Sequence, residues 1–473
     1  MFCCFALCKV VLILVFFPLV LLYWKRVFAK KKSENPHSGP VIGVFHPYCN
    51  SGGGGERVLW AAVKIIQNKH PNAHIAIYTG DLDVDPEQIL RKVEKSFEIK
   101  LEPGIEFIYL HRRRWVEAET YPYFTLLGQS LGSMWLGLEA LNALQPDIYI
   151  DTMGYAFTYP IFKYLGGCIV GSYTHYPTIS TDMLRHIYRR AVSHNNRRAI
   201  ARNPFLSAGK MIYYKLFALL YGFVGRRADS IMVNSSWTEG HINSIWKCPL
   251  KTHRVYPPCD VEHLTKLPLQ DDDKKDYIRI ISLGQFRPEK DHPLMLRTMY
   301  ELRSIVSEDV WEKIRLIFIG SCRNSEDETR VKDMQDLSKH LALEDSVEFK
   351  LNIPYSELIL ELQKGMIGLH AMWNEHFGIS VVECMAAGLI MIAHGSGGPK
   401  ADIIETQITS QTGFLASQPE EYAKIISDVI NMHPTERDAI RQAARASVSR
   451  FSTENFEKDF LRAVEPFFRP KQE

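Results

Sequence analysis

The chain has 473 residues, more than one hydrophobic core accommodates, so two domains are expected. Its 56 basic and 54 acidic residues nearly cancel to +2, so global charge makes no case for a nucleic-acid partner. Nine cysteines form no C-x-x-C pair, and three of them (Cys3, Cys4, Cys8) lie in the apolar leader, which argues against a zinc pattern or a disulfide framework and for reduced, mostly buried thiols.

Met1 to Trp24 is apolar except for Lys9. About 20 such residues span a bilayer. Lys25, Arg26, Lys30, Lys31 and Lys32 follow, and positive charge stays cytosolic. The expectation is one N-terminal transmembrane anchor over 1–24, a basic linker over 25–40, and a cytosolic body. A cleaved signal peptide fits less well, because the charge flanks the wrong side and no small-x-small site follows.

Val41 to Phe45 reads as a short strand, His46 to Gly55 as a loop ending in four glycines, and Glu56 to Gln67 as a helix with Val58, Leu59, Ala62, Ile65 and Ile66 on one stripe. Strand, glycine loop and helix open a Rossmann-like unit, although neither G-x-G-x-x-G nor a P-loop is present. Glycine lets backbone approach a diphosphate closely; a plain tight turn is the simpler alternative. His74 to Thr79 is a second strand. Asp81-Leu82-Asp83 has the form of a D-x-D metal motif, but a helix cap before Pro86 explains it better, so no metal site is assigned. Phe107 to Leu110 is another strand, and Tyr121 to Leu144 is a long apolar stretch suited to a buried or membrane-contacting helix.

Asp147 to Ile150 and Cys168 to Tyr173 are further strands. His175 stands just past the second, where α/β folds place ligands. Arg185, Arg189 and Arg190 begin a basic cluster, and Met211 to Val224 is an apolar helix too short to span comfortably. Together they suit anionic lipid or the diphosphate of a lipid-linked substrate; a solvated basic face is the alternative. Asn234-Ser235-Ser236 is a formal glycosylation sequon, discounted because a cytosolic body is expected. These elements make a first domain over 41–265, with a polar linker at 266–277.

The second domain, 278–450, opens with the strand Ile278 to Leu283 and the loop GQFRPEK, Gly284 to Lys290. Strands follow at Leu316–Gly320 and Val347–Phe349, with helices at Val331–Leu341 and Ser356–Gln363. Then comes the most informative stretch, Leu369 to Gly398. Glu375 precedes Phe377-Gly378; a helix runs from Ile379 to Ala387, with Glu383 about two turns in and Gly388 as its stop. A strand follows at Leu389–Ala393 and then Ser396-Gly397-Gly398. Free N–H groups at the helix start near Gly378 can hold an anion or sugar hydroxyls. Helices at Ala423–Met432, Arg437–Arg450 and Phe456–Val464 complete the chain, the last within a segment, 451–473, expected to pack back on the first domain.

The block from Glu375 to Glu383 resembles the E-x7-E element of retaining GT-B glycosyltransferases. GGGGERV resembles their first glycine loop, and GQFRPEK their G-R-x-x-x-E-K, with Lys290 matching, Gln285 in the usual arginine position and Arg287 two residues later. With THYPTISTDM and MWNEHFGISVVECMAAG, these motifs resemble the GDP-mannose-dependent α-1,2-mannosyltransferases of the endoplasmic reticulum. The resemblance implies an α/β fold of two Rossmann-like doubly wound domains facing a cleft, acceptor in the first and GDP-mannose in the second. It implies two successive α-1,2-mannoses added to a dolichyl-diphosphate-linked Man(3)GlcNAc(2) core in N-glycan precursor assembly. The implied localisation is the cytosolic face of the endoplasmic reticulum membrane, with other mannosyltransferases of the pathway as possible partners.

By the same resemblance, Glu383 binds the donor ribose. Glu375 and the backbone at Phe377, Gly378 and Ile379 hold the mannose. Lys290 and Arg287 stabilise the leaving diphosphate, His175 touches the sugar, and Gly53 and Gly54 contact the donor. Arg185, Arg189 and Arg190 are candidates for the lipid diphosphate. No cofactor is implied, and catalysis is expected to be metal-independent. A transferase using a UDP-sugar on another lipid-linked acceptor, and a catalytically silent scaffold, remain as alternatives; the second requires lost charges, yet Glu375, Glu383 and Lys290 are all present.

Overall fold

The computed structural model describes residues 2–34, 36–183, 204–269, 276–322, 324–407 and 410–469, with the side chains of 2–17 and 204–206 outside that description. The chain divides into two compact units. The first comprises 1–234, 238–255 and 457–473; the second comprises 235–237 and 256–456. Residues 256–265, which the sequence reading assigns to the first domain, therefore lie in the second.

The first unit is built on seven parallel strands: β1 (Val41–Phe45), β2 (His74–Thr79), β3 (Glu106–Tyr109), β4 (Ile148–Asp151), β5 (Ile169–Thr174), β6 (Ser230–Val233) and β7 (Thr252–Arg254). Their order is β3-β2-β1-β4-β5-β6-β7. The second unit repeats the plan with β8 (Ile278–Leu283), β9 (Ile314–Gly320), β10 (Val347–Leu351), β11 (Ile367–His370), β12 (Ile390–His394) and β13 (Gly413–Ala416), in the order β10-β9-β8-β11-β12-β13. In each sheet the order reverses beside the first strand, and the crevice at the carboxyl ends there is where such folds bind ligands. Strands β1 and β12 are buried throughout. That is why they read as continuous apolar runs: helices cover both faces of a parallel sheet.

Register sets the site residues. Phe45 faces Asp151 and His370 faces Ala393, so the residues following each pair leave the sheet edge together. Residues 457–469 pack within the first unit. Phe467 fills the space where a Cβ on Gly171 would sit, 2.8 Å from its ring, and Phe468 stacks on His70 at 3.6 Å.

Helix Phe2–Ser33 covers the apolar leader, and Phe28 joins the first core. Among the described residues no helix is long and apolar enough to cross a membrane. Helix Thr125–Ala143 buries Leu136, Ala140 and Leu141 but exposes Leu131 and Trp135. Helix Pro204–Gly225 buries Tyr214, Phe217 and Tyr221 but exposes Ile212, Leu216, Leu219 and Phe223. Both stretches are therefore core on one face and apolar surface on the other. The Tyr213 hydroxyl accepts the Leu127 N–H at 3.1 Å and ties the two helices together.

Candidate active site

In the second unit, β11 ends at His370 and the chain turns through Asn374, at φ +53°, to Glu375. The Glu375 carboxylate pairs with the Lys290 ammonium, which the loop after β8 delivers. The same carboxylate oxygen lies 3.1 Å from His370 Nε2, and the other accepts the His376 N–H at 3.1 Å. His370 and His292 are both buried beside this pair. Burial alone would raise the Glu375 pKa; Lys290 and His370 reverse it and hold the carboxyl well below the usual carboxylate range. Burial, reinforced by Lys290 and His370, lowers His292 to about 3. The result is one fixed charge pair flanked by imidazoles that burial holds below the ordinary histidine range, in a low dielectric, where a charge acts far more strongly than in water.

The glycine loop after β12 braces the other side. Gly398 donates its N–H to the Glu375 carbonyl at 2.7 Å, and Ser396 Oγ accepts the Asn374 N–H at 2.7 Å. A Cβ on Gly397, which lies at φ +62°, would come within 2.2 Å of the Glu375 carbonyl oxygen, and one on Gly398 within 2.5 Å of Phe377 Cα. Glycine is required here by close approach of backbone to backbone.

Gly378, at φ +112°, opens the helix Ile379–Ala387 without a side-chain cap, and Gly388, at φ +97°, closes it by donating to the Cys384 and Met385 carbonyls. Glu383 is the fifth residue of this helix, little more than one turn in rather than two, and is half-buried. Phe377 is buried against Tyr256 and Phe451, at ring distances of 5.7 and 5.1 Å, so only its backbone can serve a ligand. Arg287 is not drawn into the charge pair: its guanidinium lies 3.7 Å from Glu289.

In the first unit, the glycine loop after β1 leads into helix Gly54–Lys69, with Gly52 at φ +77° and Gly53 at the cap. His175, just past β5, sits beside it: a Cβ on Gly55 would lie 3.6 Å from His175 Nε2. Asp81 is engaged by Arg113 and by the Asn50 N–H at 3.0 Å. The helix cap before Pro86 comes from Asp85, which accepts the Gln88 N–H at 2.8 Å, and not from Asp81 or Asp83. Asn234 of the sequon is buried and accepts the Thr238 hydroxyl at 2.7 Å, a role that holds it inside the fold. Arg185, Arg189 and Arg190 lie outside the described residues. The structure thus brings Lys290 to Glu375 and His175 to the glycine loop. It adds His370, His292 and Ser396, whose roles follow from tertiary packing and carry no signal in spacing.

Residues 39–246 match the model of the ALG11 mannosyltransferase N-terminus, and residues 268–446 that of glycosyl transferases group 1. A human protein named GDP-Man:Man(3)GlcNAc(2)-PP-Dol alpha-1,2-mannosyltransferase is 50% identical over 98% of this chain and 94% of its own. Relatives of the same name in Xenopus laevis and Dictyostelium discoideum are 52% and 45% identical, over 93% and 92% of this chain and 91% and 86% of their own. Among solved structures, Anabaena HepE in complex with UDP and glucose superposes with a TM-score of 0.62 at 15% identity, covering 90% of this chain and all of that one. Sucrose-phosphate synthase from Thermosynechococcus elongatus gives 0.63 at 16%, covering 91% and 99%. These distant structures share the fold, which is that of GT-B glycosyltransferases.

Proposed function

The chain belongs to the family of GDP-Man:Man(3)GlcNAc(2)-PP-Dol alpha-1,2-mannosyltransferases, and on that premise we propose the reaction and the residues that carry it. It is a GDP-mannose-dependent α-1,2-mannosyltransferase acting on the dolichyl-diphosphate-linked Man(3)GlcNAc(2) oligosaccharide. The observation that carries this reading is the near-full-length identity of about half the residues, with the Lys290–Glu375 pair intact at the second switch point.

In the proposed reaction the bond between mannose C1 and the β-phosphate oxygen breaks as the acceptor 2-hydroxyl attacks from the same face. The leaving phosphate takes the hydroxyl proton, and configuration is retained. Lys290 faces the negative charge that grows on the diphosphate. Its ammonium is already confined beside Glu375, so little reorganisation accompanies the step. Glu375, with the N–H groups of Phe377, Gly378 and Ile379, orients the mannose hydroxyls at an uncapped helix start, and Glu383 holds the ribose. Arg287 can swing from Glu289 to the diphosphate, since its pairing is partly solvent-exposed. Gly53, Gly54 and His175 line the crevice of the first unit. Two mannoses are added in succession.

The proposed setting is the cytosolic face of the endoplasmic reticulum membrane, with 1–24 as anchor and other mannosyltransferases of the pathway as neighbours. The apolar leader with its basic flank supports this, and so do the exposed faces of helices Thr125–Ala143 and Pro204–Gly225. Arginines accompany those faces: Arg112 lies over the Trp135 ring at 4.7 Å and Arg227 over Phe223 at 4.4 Å. Aromatic and aliphatic side chains beside cations suit an anionic lipid surface.

The decisive experiment offers purified protein GDP-mannose and a phytanyl-diphosphate-linked trimannosyl acceptor, with UDP-glucose and UDP-N-acetylglucosamine as competing donors. The expected product carries two α-1,2-mannoses, from GDP-mannose alone. Transfer from a UDP-sugar, or none from GDP-mannose, overturns the reading. Activity is expected to survive EDTA; complete loss restored by Mn²⁺ would reject metal independence.

A further inference from the structure

Beneath the glycine loop of the first unit runs a line of buried polar contacts that the chemistry above does not use. Because Phe45 and Asp151 are register partners, His46 and Thr152 step off the sheet edge side by side. Thr152 Oγ1 lies 2.7 Å from His46 Nδ1, and the imidazole is wholly buried. On its far side, His46 Nε2 has no hydrogen-bond partner among the described residues and lies 3.6 Å from Glu56 Oε1. Glu56 Oε2 accepts the Gly53 N–H at 2.7 Å. Burial would raise the Glu56 pKa, but His46 and the backbone donors outweigh it and bring the carboxyl down to about 2, so it is anionic at neutral pH.

The tautomer follows from these distances. Besides His46, the Thr152 hydroxyl finds among the described residues a long contact of 3.4 Å to the Phe45 carbonyl, so its proton is better given to His46 Nδ1. The ring proton then sits on Nε2, facing the carboxylate. The other tautomer would set a lone pair against an anion. A run of four glycines has no side chains with which to fix itself, and glycine loses the most conformational freedom on ordering. The Gly53 N–H is the handle by which the fold can hold the loop.

We propose that His46 is a positioning residue for the glycine loop: Thr152 orients the ring, His46 holds Glu56, and Glu56 fixes the Gly53 backbone in the pose that meets substrate. This rests on the reading that Gly53 and Gly54 contact GDP-mannose. Steady-state kinetics on the full-length protein tests it. His46→Ala is expected to raise KM for GDP-mannose about tenfold, with kcat within about twofold, as loss of one close electrostatic contact with a buried carboxylate implies. His46→Gln, whose amide reaches the Nε2 position, is expected to restore most of the affinity, and His46→Leu none of it. In His46→Ala/Glu56→Gln, KM is expected to rise no further than in the worse single variant, because both act through one path.

Multiplying effects in the double variant overturn the proposal. So does a His46→Ala protein that melts earlier but binds donor normally, or a His46→Gln protein no better than His46→Leu. Gly54→Val separates the two readings. If Gly54→Val is impaired while the His46 variants are not, the relay fails and the loop stands; if Gly54→Val binds donor as the parent does, the loop assignment itself fails.

Discussion

The two units share the strand order of their first six strands and place their candidate residues at the corresponding crevice of each sheet, yet they fill it with different chemistry. In the second unit, the residues after β8 and β11 contribute a full ammonium–carboxylate pair walled by buried imidazoles. In the first, the residues after β1 and β4 contribute a glycine loop held from below by His46 and Glu56, over a buried Asp151 bonded to the Tyr159 hydroxyl at 2.7 Å. On the proposed reading, one crevice meets developing charge and the other sets the shape of a backbone. The fold supplies the location, and the residues just past each strand decide the task.

The largest expected effect breaks this comparison at its charged end. Lys290→Ala and Glu375→Ala, each folded, are expected to lower kcat about 10²–10³-fold, the usual result of removing one group that acts in the transition state. Single-turnover rates check it. If both variants keep near-parental rates, the second crevice is not where charge develops.

Next comes stability. Removing one member of a buried pair strands the other, which costs about 3–5 kcal/mol at the fully buried limit, and less here because Lys290 keeps some solvent contact. Lys290→Met/Glu375→Gln is expected to regain much of that loss in denaturant unfolding while remaining inactive. A double variant less stable than either single variant would reject the stranded-charge account.

Glu383→Gln is expected to act on binding instead. A ribose contact is made equally in the ground and transition states, so KM for GDP-mannose should rise roughly tenfold while kcat holds. An unchanged KM with a fallen kcat would move Glu383 to the reacting centre.

The smallest effect sharpens the contrast through pH. Burial, then Lys290 and His370, depress His292 from 6.5 to about 3. The unfolded chain therefore binds that proton first, and stability of the second unit drains as pH falls below about 6.5. Burial raises Asp151 from 3.8 to about 6. Its contribution is complete below 3.8 and is lost as pH rises through about 6, the opposite sign. Between pH 5 and 7 Glu56 and Glu375, both depressed, stay ionised in the folded protein and do not obscure the difference. Amide exchange, corrected for its intrinsic pH dependence, should show β8 and β11 better protected at pH 7 and β1 and β4 better protected at pH 5. Parallel behaviour of the two sheets would reject the assignment.

Much of this architecture is legible in the sequence. The runs Val41–Phe45, His74–Thr79 and Ile278–Leu283 predict strands, and strands occupy those residues, because central parallel strands must be apolar throughout. Helix Ile379–Ala387 is bounded as expected by two glycines whose left-handed backbones only glycine adopts freely. Helix His292–Ile305 escapes the same reading: its buried face, including His292, Met295, Thr298 and Met299, mixes polar with apolar residues and blurs the stripe. Strands β7 and β13, three and four residues long, are too short for any alternation to register. Helix Ser325–His340 begins well before its first apolar residue, Val331, because its opening turns face mostly solvent. At the site, motif spacing points to Lys290 and Glu375 separately. Their union, 85 residues apart in sequence, and the ring of histidines around it are products of the sheet order.

The backbone contact between Gly397 and Glu375 bears on how variation in this chain should be weighed. Scales of chemical similarity rank glycine to alanine among the mildest of exchanges, and most positions justify that rank. Here the added methyl has nowhere to go: the obstacle is a carbonyl oxygen and not a side chain that can rotate away, and the φ of +62° already disfavours any other residue. A one-carbon change at 397, far down any list sorted by residue type, therefore belongs near the top of one sorted by consequence, while bulkier exchanges at an exposed position such as Leu250 belong near the bottom.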